Sequence, residues 1–213
     1  MRQLPVAFPT LIAAACAFAS HGAAAAGYAY SGVASPTPVH GLAATITQLA
    51  RPAVRSGHVA VWAGVGGAHA GPGGRDEWLQ VGIGAMYGGR SILYTEVKSG
   101  AHYNFRVLRR GIRPGETHRV ALDEVAPGVW QIVVDGRVLG WRTRLDLGAG
   151  AQADVAAETW TRGAGCNVLA YRVAAVAVRG DHGWHRLRQP VPFYSPSLTV
   201  SMGRDGYELA SRC

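Results

Sequence analysis

Lysine is almost absent from this sequence, cysteine is rare, and beyond the N-terminus no apolar run is long enough to cross a bilayer. Each gap excludes something. Lys98 is the single lysine, so the net charge of +8 rests on arginine. The arginines are scattered, with only Arg109 and Arg110 adjacent, whereas a nucleic-acid footprint needs them gathered into a patch or stripe. No nucleic-acid partner is expected, and no membrane partner for the mature chain. Long stretches of helical periodicity are missing too, which leaves an all-β reading. The glycine-rich segment "GGAHAGPGG", residues 66–74, lacks the Lys-Ser or Lys-Thr of a phosphate cradle and reads as an exposed loop. Ser31, Ser195 and Ser197 lie in no nucleophile motif.

What is present begins with a leader. Met1 and Arg2 precede an apolar, alanine-rich run from Leu4 to Phe18 and a small-residue tract from Gly22 to Gly27. That pattern is a secretory signal peptide over residues 1–26, too short to span a bilayer comfortably, with cleavage near Ala24 to Ala26. Ala13 stands where a lipoprotein signal wants a larger aliphatic residue before Cys16, which argues against a lipid anchor. The mature protein is therefore expected to be secreted, extracellular or periplasmic. It keeps Cys166 and Cys213, an even pair in an oxidising compartment, and a bridge between them would stabilise the fold by roughly 3–4 kcal/mol. Two free thiols are the alternative.

Residues 27–180 read as one β-sandwich domain. Short apolar or alternating runs recur between turn residues: Gly41 to Leu49, His58 to Val65, Glu77 to Ala85, Ser91 to Val97, His102 to Leu108, Thr117 to Glu124, Gly128 to Val134, Arg137 to Leu145, Ala153 to Trp160 and Asn167 to Val178. Asp135-Gly136 marks a tight hairpin, because a two-residue turn needs positive φ. Residues 181–213 lose this rhythm and read as an irregular tail laid over the domain, with one further short strand near Leu198 to Met202.

Period-two alternation assigns faces. Val59, Val61, Ala63 and Val65 point inward, as do Leu79, Val81 and Ile83, then Leu93, Thr95 and Val97, and finally Ala153, Val155, Ala157 and Thr159. The outward set includes Trp62, Trp78, Gln80, Tyr94, Glu96, Lys98, Asp154, Glu158 and Trp160. An ordinary solvated face does not leave three tryptophans off the core, so the expectation is a ligand groove. The competing expectation is that loops or the tail cover this face.

"GHVAVWAGVGG", "EWLQVGI", "LYTEV" and "AAETW" resemble, in order and spacing, the strand motifs of the glutamic peptidases called eqolisins and their bacterial relatives, which are concanavalin A-like jelly rolls. The resemblance runs from about Tyr30 to Val178. It implies a catalytic dyad of Gln80 and Glu158, with Glu158 as general base and later acid, and Gln80 as donor to the developing oxyanion. It also implies substrate contacts from Trp62, Trp78, Tyr94, Glu96 and Trp160, a polypeptide substrate, no cofactor and no metal. Like-charge proximity and partial burial would place activity on the acid side of neutral. The sequence departs from the fungal pattern at Gly84, where Asp is usual, at Tyr94, where Trp is usual, and at Tyr30-Ser31-Gly32, where a Trp-x-Gly is usual. No long propeptide separates the leader from Tyr30, so zymogen control is not expected.

Other chemistries carry less. Glu96 and Glu158 could serve as a glycosidase pair, but the Glu-x-Asp-x-x-Glu strand motif is absent. His182 and His185, with Asp181, have metal-compatible spacing but no further ligand nearby and read as surface groups. The expectation is a monomeric secreted hydrolase of glutamic-peptidase type, the alternative being a non-catalytic glycan- or peptide-binding module that uses the same groove.

Overall fold

The computed structural model describes residues 27–148, 150–161, 166–203 and 205–211. The expected leader and Cys213, hence the expected bridge to Cys166, lie outside the described residues.

Strands account for the regular structure of the described residues apart from one 3-10 turn at Pro72–Gly74. In chain order they are β1 (Tyr28–Ala34), β2 (Gly41–Gln48), β3 (His58–Gly67), β4 (Glu77–Met86), β5 (Ile92–Ser99), β6 (His102–Arg110), β7 (Thr117–Ala126), β8 (Val129–Val134), β9 (Arg137–Arg144), β10 (Ala153–Trp160) and β11 (Ala170–Gly180). Four more follow: β12 (Gly183–Arg186), β13 (Val191–Phe193), β14 (Leu198–Met202) and β15 (Gly206–Ser211). One sheet runs β13-β1-β10-β3-β4-β5-β6 and the other β14-β15-β11-β2-β7-β8-β9, with β12 paired to β11. All of these pairings are antiparallel. This is the two-sheet sandwich that the spacing of the runs predicts.

Alternation explains why the sheets pack. Val59, Val61, Ala63 and Val65 of β3, Leu79, Val81 and Ile83 of β4, and Val155 and Ala157 of β10 enter one apolar core. They meet Leu42 and Ile46 of β2, Leu122 of β7 and Trp130 and Ile132 of β8 from the facing sheet. A side chain of this size fully removed from water contributes about 1.5–3 kcal/mol. Inward positions read from period two are therefore inward in the fold. A second, smaller apolar cluster lies on the outer face of the β1-to-β6 sheet, where Ala60, Trp62, Ile92, Tyr94 and Ala156 are buried with Tyr30, Phe105 and Phe193 against them.

The tail differs from the irregular segment expected. Besides the strand at Leu198–Met202, it supplies β12, β13 and β15, and so joins both sheets. β13 is three residues and carries a proline, too short for alternation to show. β1 was also not among the expected runs. Its inward set, Ala29, Ser31 and Val33, contains a serine, and its outward set contains two tyrosines, so the apolar contrast is weak.

The Asp135-Gly136 hairpin forms between β8 and β9 with φ of 50° and 78°. The Asp135 carboxylate accepts the Arg119 backbone N–H at 2.9 Å and faces His118 Nδ1 at 2.8 Å, tying the turn to β7.

Gly82 lies at a close approach of β4 to β3. A Cβ there would sit 2.0 Å from the Val61 carbonyl oxygen and 2.8 Å from the Trp62 Cα. Gly82→Ala should therefore push the two central strands apart and cost about 2 kcal/mol or more, measurable as a lower midpoint in urea unfolding. Gly67→Ala, where a Cβ meets nothing within 4 Å, is the control and should stay within about 0.5 kcal/mol.

Candidate active site

The outer face is best described as rows, each crossing the strands. One row is Asp154, Gly64, Gln80, Glu96 and Phe105, from β10 through β3, β4 and β5 to β6. The next row is Ala156, Trp62, Gly82 and Tyr94, and the one after it Tyr30, Glu158, Ala60 and Gly84. On the other side of the Gln80 row lie Gly66, Trp78, Lys98 and Tyr103. Small residues at Gly64, Gly82, Gly84 and Ala60 keep the floor low between larger side chains.

Gln80 is held by its neighbour. Its Nε2 donates to Glu96 Oε2 at 2.8 Å, which leaves the second N–H of the amide to point elsewhere. Burial pushes the Glu96 carboxyl up and the nearby Glu158 charge adds to that, while hydrogen bonds from Gln80, Trp78 and Tyr103 oppose the rise; the net shift is upward. The Tyr103 phenol is in turn pushed up to about 12, by burial first and then by the Glu96 charge and hydrogen bond.

Asp154 faces Gln80 across Gly64. Its Oδ1 hangs over that glycine, 2.8 Å from where a Cβ would be. Two strand steps put the Asp154 and Gln80 Cα atoms roughly 10 Å apart, and the Trp62 indole leans into the space over Gly64, its Cδ1 and Nε1 lying 2.9 and 3.1 Å from where a Cβ would be. Burial pushes the Asp154 carboxyl up to about 7, opposed only by a hydrogen bond from the Trp62 indole. The residue as a whole is partly exposed, while its carboxyl is buried.

Glu158 lies elsewhere on the same face. Relative to Gln80 it is two strands and two rows away, roughly 16 Å between Cα atoms on a flat sheet. Its Oε1 is 2.6 Å from His58 Nε2, and Tyr28 and Trp160 flank the His58 ring with centroids 6.0 and 5.8 Å away. The structure therefore brings Gln80 to Glu96 and sets it opposite Asp154. Gln80 and Glu158 are not bonded to each other, Gln80 holding Glu96 and Glu158 holding His58, while the Glu158 charge reaches Glu96 and Tyr103 across the face. Glu96 and Glu158 are three strands and two rows apart.

The expected substrate contacts divide in the same way. Trp62 and Tyr94 are 7% and 3% exposed and form the floor, Trp62 packing edge-on to Tyr30 and Tyr94 stacking on Phe105. Trp78, Glu96 and Trp160 are more open. β13 reaches this face through Phe193, so the tail covers one margin of it and leaves the Gln80 row open. Asp154, His58 and Tyr103 are the site residues that sequence reasoning missed. Alternation had placed Asp154 outward, but no local signal says which acid shares a row with Gln80.

Two cavities, of about 450 and 490 Å³, lie off this face, one beside Arg172 and Glu208 and one beside Arg75 and Asp146. Asp181 approaches His40 Nε2 at 3.4 Å and His185 Nδ1 faces its own hairpin's Gly183 carbonyl.

The Glu96 environment makes a prediction with a sign. Tyr103→Phe removes a donor that favours the charged form, so the Glu96 carboxyl should titrate at higher pH than in the parent; Glu158→Gln removes a neighbouring charge and should move it lower. Carboxyl-carbon NMR titration of the two variants reads both shifts, and shifts of the opposite sign would contradict the contacts described.

No protein-family model matches the sequence, and no curated protein matches it. Solved structures do match. A scytalido-glutamic peptidase with a transition state analog inhibitor superposes with a TM-score of 0.63 at 11% identity, covering 86% of this chain and 98% of that one. SCP-B, a member of the eqolisin family of peptidases in complex with the tripeptide Ala-Ile-His, superposes with a TM-score of 0.55 at 12% identity, covering 87% and 98%. At such identities the likeness is one of architecture: the chain has the two-sheet fold of the glutamic peptidases.

Proposed function

We infer that the protein is an exported hydrolase that cleaves peptide bonds with Gln80 and a carboxyl group on the same face, and that this group is Asp154. The observation that carries the reading is the row itself: an oriented amide and a carboxyl pushed up to about 7 face each other over a glycine. The fold it shares with peptidases solved in complex with an inhibitor and a tripeptide supports the substrate class.

The chemistry follows from the groups in place. A substrate carbonyl lies beside Gln80, past the edge of the Trp62 indole, and a water sits between it and Asp154. The ionised Asp154 takes a proton from the water as its oxygen bonds to the carbonyl carbon. The free N–H of Gln80 donates to the carbonyl oxygen as it gains charge, while Glu96 keeps the amide from rotating. Asp154 then gives its proton to the amide nitrogen as the C–N bond breaks, leaving one carboxyl and one amine product. Trp62, through its indole N–H, holds Asp154 in place throughout.

Digestion of a denatured protein and of short peptides by the mature chain tests this. Asp154→Asn should lose about 10³-fold in kcat and Gln80→Ala about 10²–10³-fold. Because a base must be ionised, kcat/KM should rise with pH as Asp154 loses its proton, with an inflection near 7 that Asp154→Asn lacks. That places activity closer to neutral than the sequence alone implied. Full activity of Asp154→Asn with loss in Glu158→Gln would move the base to Glu158. Peptide or glycan binding by the parent with no turnover would make the face a binding module.

A further inference from the structure

The sole lysine of the chain stands on the open face, one row from Gln80 and Glu96. Lys98 is paired in register with Trp78 on β4 and with Tyr103 on β6, so its stem lies between two aromatic residues. Both of those hand a hydrogen bond to Glu96, so the carboxylate nearest along β5 already has Gln80, Trp78 and Tyr103 as donors. Glu158 is bonded to His58 and Asp154 to Trp62. Each acid of the face is answered, and among the described residues the Lys98 side chain has no ion pair or hydrogen bond. Elsewhere in the chain Arg109, Arg172 and Arg179 are paired with acids, whereas Lys98 stands beside the reaction row without such a pair. The row continues from Trp78 to Gly66 on β3, and Trp78 and Lys98 are both partly exposed.

We propose that Lys98 recognises a carboxylate of the polypeptide to one side of the scissile bond. The spacing fits. Adjacent rows are two residues apart along a strand, about 6.7 Å, which is also the distance between alternate side chains of an extended peptide lying along the strands. A peptide with its scissile carbonyl beside Gln80 therefore carries a side chain, or its own C-terminus, over Trp78, the register partner of Lys98. Trp78 and Tyr103 are the register partners of Lys98 on either side, and side chains there limit the freedom of its stem, which reduces the ordering cost of the contact. Lysine suits the task as a flexible point charge able to meet either carboxylate source.

The proposal rests on the peptidase reading, and the test separates the two. Blocked octapeptides with Glu or Gln at each position flanking one cleavable bond report side-chain carboxylates, and peptides ending in a free or amidated C-terminus report the terminal one. At pH 6 and low salt, the parent should favour the carboxylate member of one pair about three- to tenfold in kcat/KM. That ratio should fall to about one in Lys98→Ala, invert in Lys98→Glu, persist in Lys98→Arg, and shrink toward one in 0.5 M salt. Which pair responds identifies the source. Cleavage without any carboxylate preference, or a preference that survives in Lys98→Ala, would overturn the proposal and leave the peptidase reading intact. If no peptide is cleaved, fluorescence anisotropy with the same peptides decides: carboxylate-selective binding lost in Lys98→Ala upholds the Lys98 assignment without hydrolysis, and unselective binding or none ends it.

Discussion

The candidate site depends on the pairing register of four strands, β10, β3, β4 and β5. Register alone puts Asp154, Gly64, Gln80 and Glu96 in one line. A slip of one residue in β4 would turn Gln80 into the sandwich and bring Leu79, Val81 and Ile83 out, a cost of several buried side chains. A slip of two would keep every face correct and still destroy the site, because Gln80 would then face the Trp62 row instead of Gly64. Alternation guards against the first error only. Against the second stands close packing, as at Gly82, where a Cβ would come within 2.0 Å of the Val61 carbonyl oxygen.

Three carboxyl groups share this face, and their donors differentiate them. Glu96 receives bonds from Gln80, Trp78 and Tyr103, and Glu158 is bonded to His58. Asp154 has a single indole bond to offset its burial, and it is the one pushed up to about 7. One environment makes an orienting anion and another a group able to take and return a proton, a division set by neighbours and not by residue type. The low floor of glycines and alanines is part of the same design, since a Cβ at Gly64 would press on Asp154 Oδ1 at 2.8 Å and on the Trp62 indole at 2.9 Å.

Much of the fold was legible because alternation is a local property. His58–Gly67, Glu77–Met86 and Ala153–Trp160 could be read as strands, and their faces assigned, from nothing more than which second residue is apolar. β13 and β15 were not legible in that way. The first is three residues with a proline and the second alternates only weakly, so both owe their strand state to edges that other strands offer them. β1 went unread because its outward face is as aromatic as its inward face is small.

The site divides along the same line. That Gln80, Glu96, Lys98, Asp154, Glu158, Trp62 and Trp78 share a face was fixed by the order of residues within each strand, since a side chain cannot change faces without taking its neighbours along. Which acid stands opposite Gln80 was not, because Asp154 and Glu158 lie four residues apart on one strand and satisfy alternation equally. Only pairing with β3 chose between them, and pairing joins residues about ninety positions apart through hydrogen bonds that carry no mark in the local sequence.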